Sequence, residues 1–335
     1  MRKFLAMAVL LPPLLWATWG WQPLPVDTGR SLVRIDRLAT AGQVSGPERR
    51  ALGPFTVAGL WRLSSDNPRF GGFSALVPLP SQQFLAVSDR NGWLRFSGPE
   101  KPGNYSLRSG ATLVRRLNKG RRHENFDVEA VVRDPADGSL WFGLESEWHV
   151  ARIGTGDLRA RLTGIPQIRG WPVNGGVEAM ARLADGRWIM LCETCGSGRG
   201  GLHRGLLFAG HPGLSAVQDF GIVVSPGFDP VDMVQLPDGR LLILVRRFNL
   251  FPPRFTNRIV LADIARLDPA RPLGTRELAR IEGPDLRENY EGMAIRGEAG
   301  GAVGIWLISD ANDSAFQETR LMHLWLDPAK LPAAH

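Results

Sequence analysis

One alternation organises this chain: a short apolar run, a polar turn, then a second apolar run, repeated five times. The copies read GGFSALVPLPSQQFLAVSDRNG from Gly71, FDVEAVVRDPADGSLWFGLESE from Phe126, GGVEAMARLADGRWIMLCET from Gly175, DPVDMVQLPDGRLLILVRRF from Asp229 and NYEGMAIRGEAGGAVGIWLISDAN from Asn289. Apolar runs such as Leu241 to Val245 have strand length and β-rich composition. The turns between them, including Asp137-Gly138, Asp185-Gly186 and Pro237-Asp238-Gly239, are hairpin signals because Gly accepts positive φ.

Within the five units Ser74, Glu129, Glu178, Asp232 and Glu291 read as one recurring position, spaced by 55, 49, 54 and 59 residues. Periods near fifty, with several strands per unit, predict an all-β propeller rather than a solenoid of single strands. The roughly 305 residues beyond the N-terminal segment divide into about six such units, with five or seven blades also open. The expected sixth blade is assembled from residues 31–38 and 55–64 with residues 321–326. That closure would join the two ends of the chain and remove an open sheet edge.

A second position recurs after each second strand: Asp89, Glu145, Glu193, Arg246 and Asp310, lying 15, 16, 15, 14 and 19 residues beyond the first. Four of these five are acidic, and each follows an apolar strand, where a buried carboxylate needs a partner. Symmetry gathers such groups round one axis, where they raise each other's pKa unless a cation or an arginine sits among them. Hard cations with oxygen ligands suit such a ring, Ca²⁺ above all. The plainer alternative is that the acids only brace neighbouring blades by accepting backbone hydrogen bonds.

Composition adds support and exclusions. The 335 residues are 44% apolar, with 39 Gly and 25 Pro, a balance of short strands and turns rather than helices. Net charge is +7 and the cations are mostly arginine, which attracts anionic partners. Because the arginines are scattered and no nucleic-acid motif accompanies them, nucleic-acid binding is not expected. Arg2 and Lys3 precede an apolar stretch broken by Pro12 and Pro13, so residues 1–22 read as a signal peptide or an uncleaved anchor. Residues 23–335 then form a single propeller domain, periplasmic or secreted and monomeric. Its only expected membrane contact is through residues 1–22. Cys192 and Cys195 are a lone C-x-x-C, read as a local disulfide or two inert thiols. No Gly-x-Ser-x-Gly, His-Glu-x-x-His or phosphate loop occurs. Trp93 and Trp148 read as loop residues placed to meet a ligand.

The pieces Ser-Asp-Arg-Asn (88–91), Val-Glu-Ala-Val (128–131), Val-Glu-Ala-Met (177–180), Leu-Pro-Asp-Gly-Arg-Leu-Leu (236–242), Arg-Arg-Phe (246–248), Tyr-Glu-Gly-Met-Ala (290–294) and Ser-Asp-Ala-Asn (309–312) resemble the phytase-like esterase family of bacterial propellers. The resemblance spans residues 55 to 328. It implies a phosphoester or other ester hydrolase acting on an anionic small molecule. On that reading Asp89, Glu145, Glu193, Glu291 and Asp310 hold Ca²⁺, joined by Glu178. Glu178 or Glu129 serves as general base, and Arg90, Arg246 and Arg247 grip the substrate anion. The chain departs from the family at Val245, where the pattern has a glutamate. Two rival readings are a non-catalytic ligand- or partner-binding propeller and a gluconolactonase-like metal-dependent lactonase.

Overall fold

The computed structural model describes residues 31–333 except 68–69, 90–91, 100–105, 110–126, 146, 156–159, 197–199 and 312–316. Two strands come first, β1 (Arg34–Ala39) and β2 (Thr56–Ser64). The first four-stranded unit follows: β3 (Phe73–Leu79), β4 (Gln83–Ser88), β5 (Gly92–Ser97) and β6 (Ser106–Ser109). The second holds β7 (Val128–Arg133), β8 (Leu140–Leu144), β9 (His149–Ile153) and β10 (Ala160–Gly164). The third is β11 (Val177–Arg182), β12 (Trp188–Cys192), β13 (Leu202–Phe208) and β14 (Val217–Val223). The fourth is β15 (Asp229–Gln235), β16 (Leu241–Leu250), β17 (Pro253–Ala262) and β18 (Leu273–Ile281). Last come β19 (Tyr290–Gly297), β20 (Val303–Ser309) and β21 (Thr319–Leu326).

Each unit is an antiparallel meander, and the fifth is completed from the other end of the chain. There β2 pairs with β21 from Thr56 opposite Trp325 to Leu63 opposite Thr319, and β1 lies outside β2. The first strands β3, β7, β11, β15 and β19 each touch the next, and β19 touches β3. Five apolar clusters fill the five gaps. Phe142 and Val128 meet Leu85 and Ala75 between the first and second sheets. Trp306 and Trp61 meet Phe84 and Phe73 across the closing gap.

The described residues therefore form five blades round one axis. The expected count of six is corrected. Residues 31–38, 55–64 and 321–326, expected as a blade of their own, supply the outer strands of the unit that begins at Tyr290. Closure by the two ends of the chain holds as expected. Strands such as Leu241–Val245 are unbroken apolar runs because each blade packs on both faces. Among the described residues no helix is long and apolar enough to cross a membrane. The expected signal or anchor segment, residues 1–22, lies outside the described residues.

All five inner strands carry a β-bulge near their start, at Ser74, Glu129, Glu178, Val231 and Glu291. A bulge sets two residues against one on the partner strand and re-aims the extra side chain. Four of the five recurring residues thus owe their direction to one backbone device. In the fourth blade the bulge falls on Val231, so Asp232 stands one place off the repeat. Measured from Val231, Arg246 lies 15 residues on, in step with the first and third blades.

Candidate functional site

The bulges, the ends of β4, β8, β12 and β20, and the residues opposite those ends all lie at one rim of the channel. The backbone N–H of Asp89 donates to Gly72 O, Glu145 to Asp127 O, Glu193 to Gly176 O and Asp310 to Asn289 O. In the fourth blade Arg246 is paired with Asp229 in the same place. Each blade thus offers three rim positions: one before the inner strand, one on its bulge and one after the second strand. The last two stand out as repeats in the sequence; the first, which holds Asp127, Asp229 and Asn289, emerges only from the structure. Its signal was present, two residues ahead of each bulge.

In the second blade all three positions are acidic. Asp127, Glu129 and Glu145 bring one carboxylate oxygen each to within 4.8 Å of one another. Burial raises Glu129 well above the usual carboxylate range, with the charges of Glu178, Asp127 and Asp89 adding to it. Glu145 is pushed up to about 7, chiefly by burial, although the N–H of Gly175 donates to its carboxylate and works the other way. Gly175 has φ +84, and a Cβ there would come within 2.7 Å of the Glu193 carboxylate, so this approach requires glycine.

The third and fifth blades meet an internal cation instead. Arg246 donates through Nη1 to Glu291 and, at 3.2 Å, to Asn289 Oδ1. Through Nη2 it reaches Glu193 Oε1 at 2.9 Å. Asn289 Nδ2 donates to Glu291 Oε1 at 2.9 Å. Glu178 is buried beside this group; its carboxyl is raised well above the usual range by burial and by Glu193, against the pull of Arg246. Cys192 and Cys195 are bonded, so Glu193 sits inside a four-residue covalent loop.

The structure therefore brings Glu129, Glu145, Glu178, Glu193, Glu291 and Arg246 to one rim with Asp89 and Asp310. Arg247, next along β16, points the other way by strand alternation and lies 4.6 Å over the Phe228 ring. Arg90 lies outside the described residues. Asp232 leaves the ring: its carboxylate accepts from Met293 N at 2.6 Å and Met233 N at 2.7 Å, bracing the fifth blade against the fourth. Trp93, expected in a loop, belongs to β5 and stacks on Phe142 at 5.7 Å. Trp148 does lie before β9, half exposed, with Arg169 over its ring at 4.1 Å.

The fold and rim define a class: a five-bladed propeller with an acidic channel mouth counter-charged on one side by arginine. Residues 68–313 match the phytase-like family, described as esterase-like activity of phytase, and the chain belongs to that family. No curated protein matches the sequence. Similar solved structures include an endo-arabinase from Bacteroides thetaiotaomicron, at 9% identity over 76% of this chain and 94% of that one, TM-score 0.47. A PQQ-bound aldose sugar dehydrogenase from Streptomyces coelicolor has 14% identity over 88% and 98%, TM-score 0.45. A luciferin-regenerating enzyme has 12% identity over 89% and 92%, TM-score 0.45. At this level of similarity the neighbours say nothing of chemistry.

Proposed function

We propose that the chain is an exported, cation-assisted hydrolase of an anionic ester, a phosphoester by preference, working at the acidic end of the channel. The observation that carries this is the trio Asp127, Glu129 and Glu145, three converging carboxylates, with the charging of Glu129 and Glu145 resisted by burial and by neighbouring acids. A divalent cation resolves that conflict, and an all-oxygen donor set favours Ca²⁺. When bound, the cation would offset substrate charge and polarise the ester oxygen.

The chain's own residues supply the rest. Glu178 lies between the trio and Arg246, and burial gives its carboxylate the raised basicity a general base needs near neutral pH. Arg246 holds Glu193 and Glu291 in place and keeps a partly exposed guanidinium at the rim, suited to a substrate oxyanion. The five inter-blade cores fix these groups on strands or directly at strand ends, which favours a preorganised site.

The test is calcium calorimetry on chelator-stripped protein, followed by a phosphomonoester and phosphodiester screen. Binding that is lost in Glu129→Gln, with turnover lost in Glu178→Gln while the fold survives, supports the reading. Absence of calcium binding at millimolar concentrations overturns it.

A further inference from the structure

The hairpin of the fourth blade overshoots its counterparts. Strands β4, β8, β12 and β20 stop at Ser88, Leu144, Cys192 and Ser309, just short of the rim position. In contrast β16 runs past Arg246 to Leu250, and β17 returns from Pro253. The overhang is paired throughout: Arg247 with Thr256, Phe248 with Phe255, Asn249 with Arg254 and Leu250 with Pro253.

Residues directly opposite each other share a face of a ribbon, and faces alternate along each strand. Phe248, Leu250, Pro253 and Phe255 therefore line one face, and Arg247, Asn249, Arg254 and Thr256 the other. The apolar side is open to solvent: Phe248 is 51% exposed, Leu250 62% and Phe251, at the tip, 87%. Large apolar side chains clustered in the open mark an interaction site more often than chance. Leu32, Trp148 and Leu202, also exposed, lie at the same end of the blades, whereas Leu214 and Trp325 lie at the other.

We propose that this ribbon inserts its Phe251 tip and apolar face into an anionic phospholipid surface. An apolar edge backed by arginines matches the layering of that interface, with acyl chains below and phosphate headgroups alongside. The ribbon itself, residues 247–256, carries two arginines and no acidic residue, which is complementary to an anionic surface. A narrow prong also suits lipid better than a folded partner, which requires a broad complementary patch. This contact goes beyond the N-terminal segment and stands independently of what the rim binds.

The experiment is Phe251→Cys in the full chain, labelled with the polarity-sensitive dye acrylodan, the two native cysteines being bonded to each other. Adding phosphatidylcholine/phosphatidylglycerol vesicles should move its emission to the blue, while the same label at Leu214→Cys stays unchanged. Adding Arg254→Gln should raise the lipid concentration for half-maximal shift about fivefold, the loss of roughly one arginine's attraction to an anionic surface. A label at residue 251 that stays water-exposed on vesicles overturns the proposal and leaves the ribbon to a protein partner. An equal response to pure phosphatidylcholine, or an unchanged half-point in Arg254→Gln, overturns the choice of an anionic surface.

Discussion

The rim of the channel solves one electrostatic problem in two ways. Toward the third and fifth blades, Glu193 and Glu291 share the guanidinium of Arg246, and Asn289 adds a neutral donor. In the second blade, Asp127, Glu129 and Glu145 converge with backbone help from Gly175. Both groups of acids stand on equivalent backbone positions, so the difference lies in side chains alone. The fourth blade has Arg246 where its neighbours have acids, and that substitution divides a symmetric ring into a self-neutralised half and a half that invites a cation. Symmetry of backbone with asymmetry of charge is how a repeat fold acquires a site.

Removing the arginine should have the largest effect. Arg246→Ala leaves Glu193, Glu291 and Glu178 together without their counter-charge. Loss of one partner from a buried ionic group costs about 3–5 kcal/mol. Urea unfolding of the chelated protein should show that loss, and the five-bladed fold should be correspondingly easier to melt. Stability unchanged within error would mean that Arg246 braces nothing and is held only for a ligand, which removes the contrast drawn above.

The second blade should respond with the opposite sign. Because Glu145 titrates at about 7 rather than near 4.5, the folded protein keeps a proton that the unfolded chain releases across that window. The folded state binds more protons there, so in chelator stability falls as pH rises from 4.5 to 7. Glu145→Gln should reduce that slope by the share of one group, Glu129 and Glu178 keeping theirs, and raise stability near neutral pH by roughly 1 kcal/mol, a modest figure because solvent screens a half-buried group. Calcium should reverse the wild-type slope, since it binds the ionised carboxylates. Thermal melts across pH, with and without calcium, check all three. A slope undiminished in Glu145→Gln would assign its share of the titration to another group.

Much of this was open to reading in the sequence. Apolar runs, Asp-Gly turns and a period near fifty led to a propeller, because strand length and turn chemistry are local properties. The number of blades was not, since β2 belongs to the last blade only through pairing with β21, more than 250 residues away. The rim acids were visible as a repeat, but their division was not: that Arg246 takes Glu193 and Glu291 depends on packing across blades. Asp127 was missed although it recurs in register with Asp229 and Asn289, because Gly72 and Gly176 occupy the same place in two blades and break the pattern.

Asp232 offers the smallest expected effect and the sharpest check on the bulge. One residue off the repeat, its carboxylate turns from the rim into the joint between the fourth and fifth blades, accepting from Met293 N and Met233 N. Burial raises its carboxyl well above the usual range, against those two hydrogen bonds. Asn is close in shape to the neutral acid and retains one carbonyl acceptor, so Asp232→Asn should cost about 1 kcal/mol, the scale of one hydrogen bond. Calcium affinity should not move, because the Asp232 carboxylate is committed to backbone amides in the joint between the blades. Calorimetry on that variant decides the matter. Loss of calcium affinity in Asp232→Asn would return that residue to the ring and shift the register of the fourth blade by one.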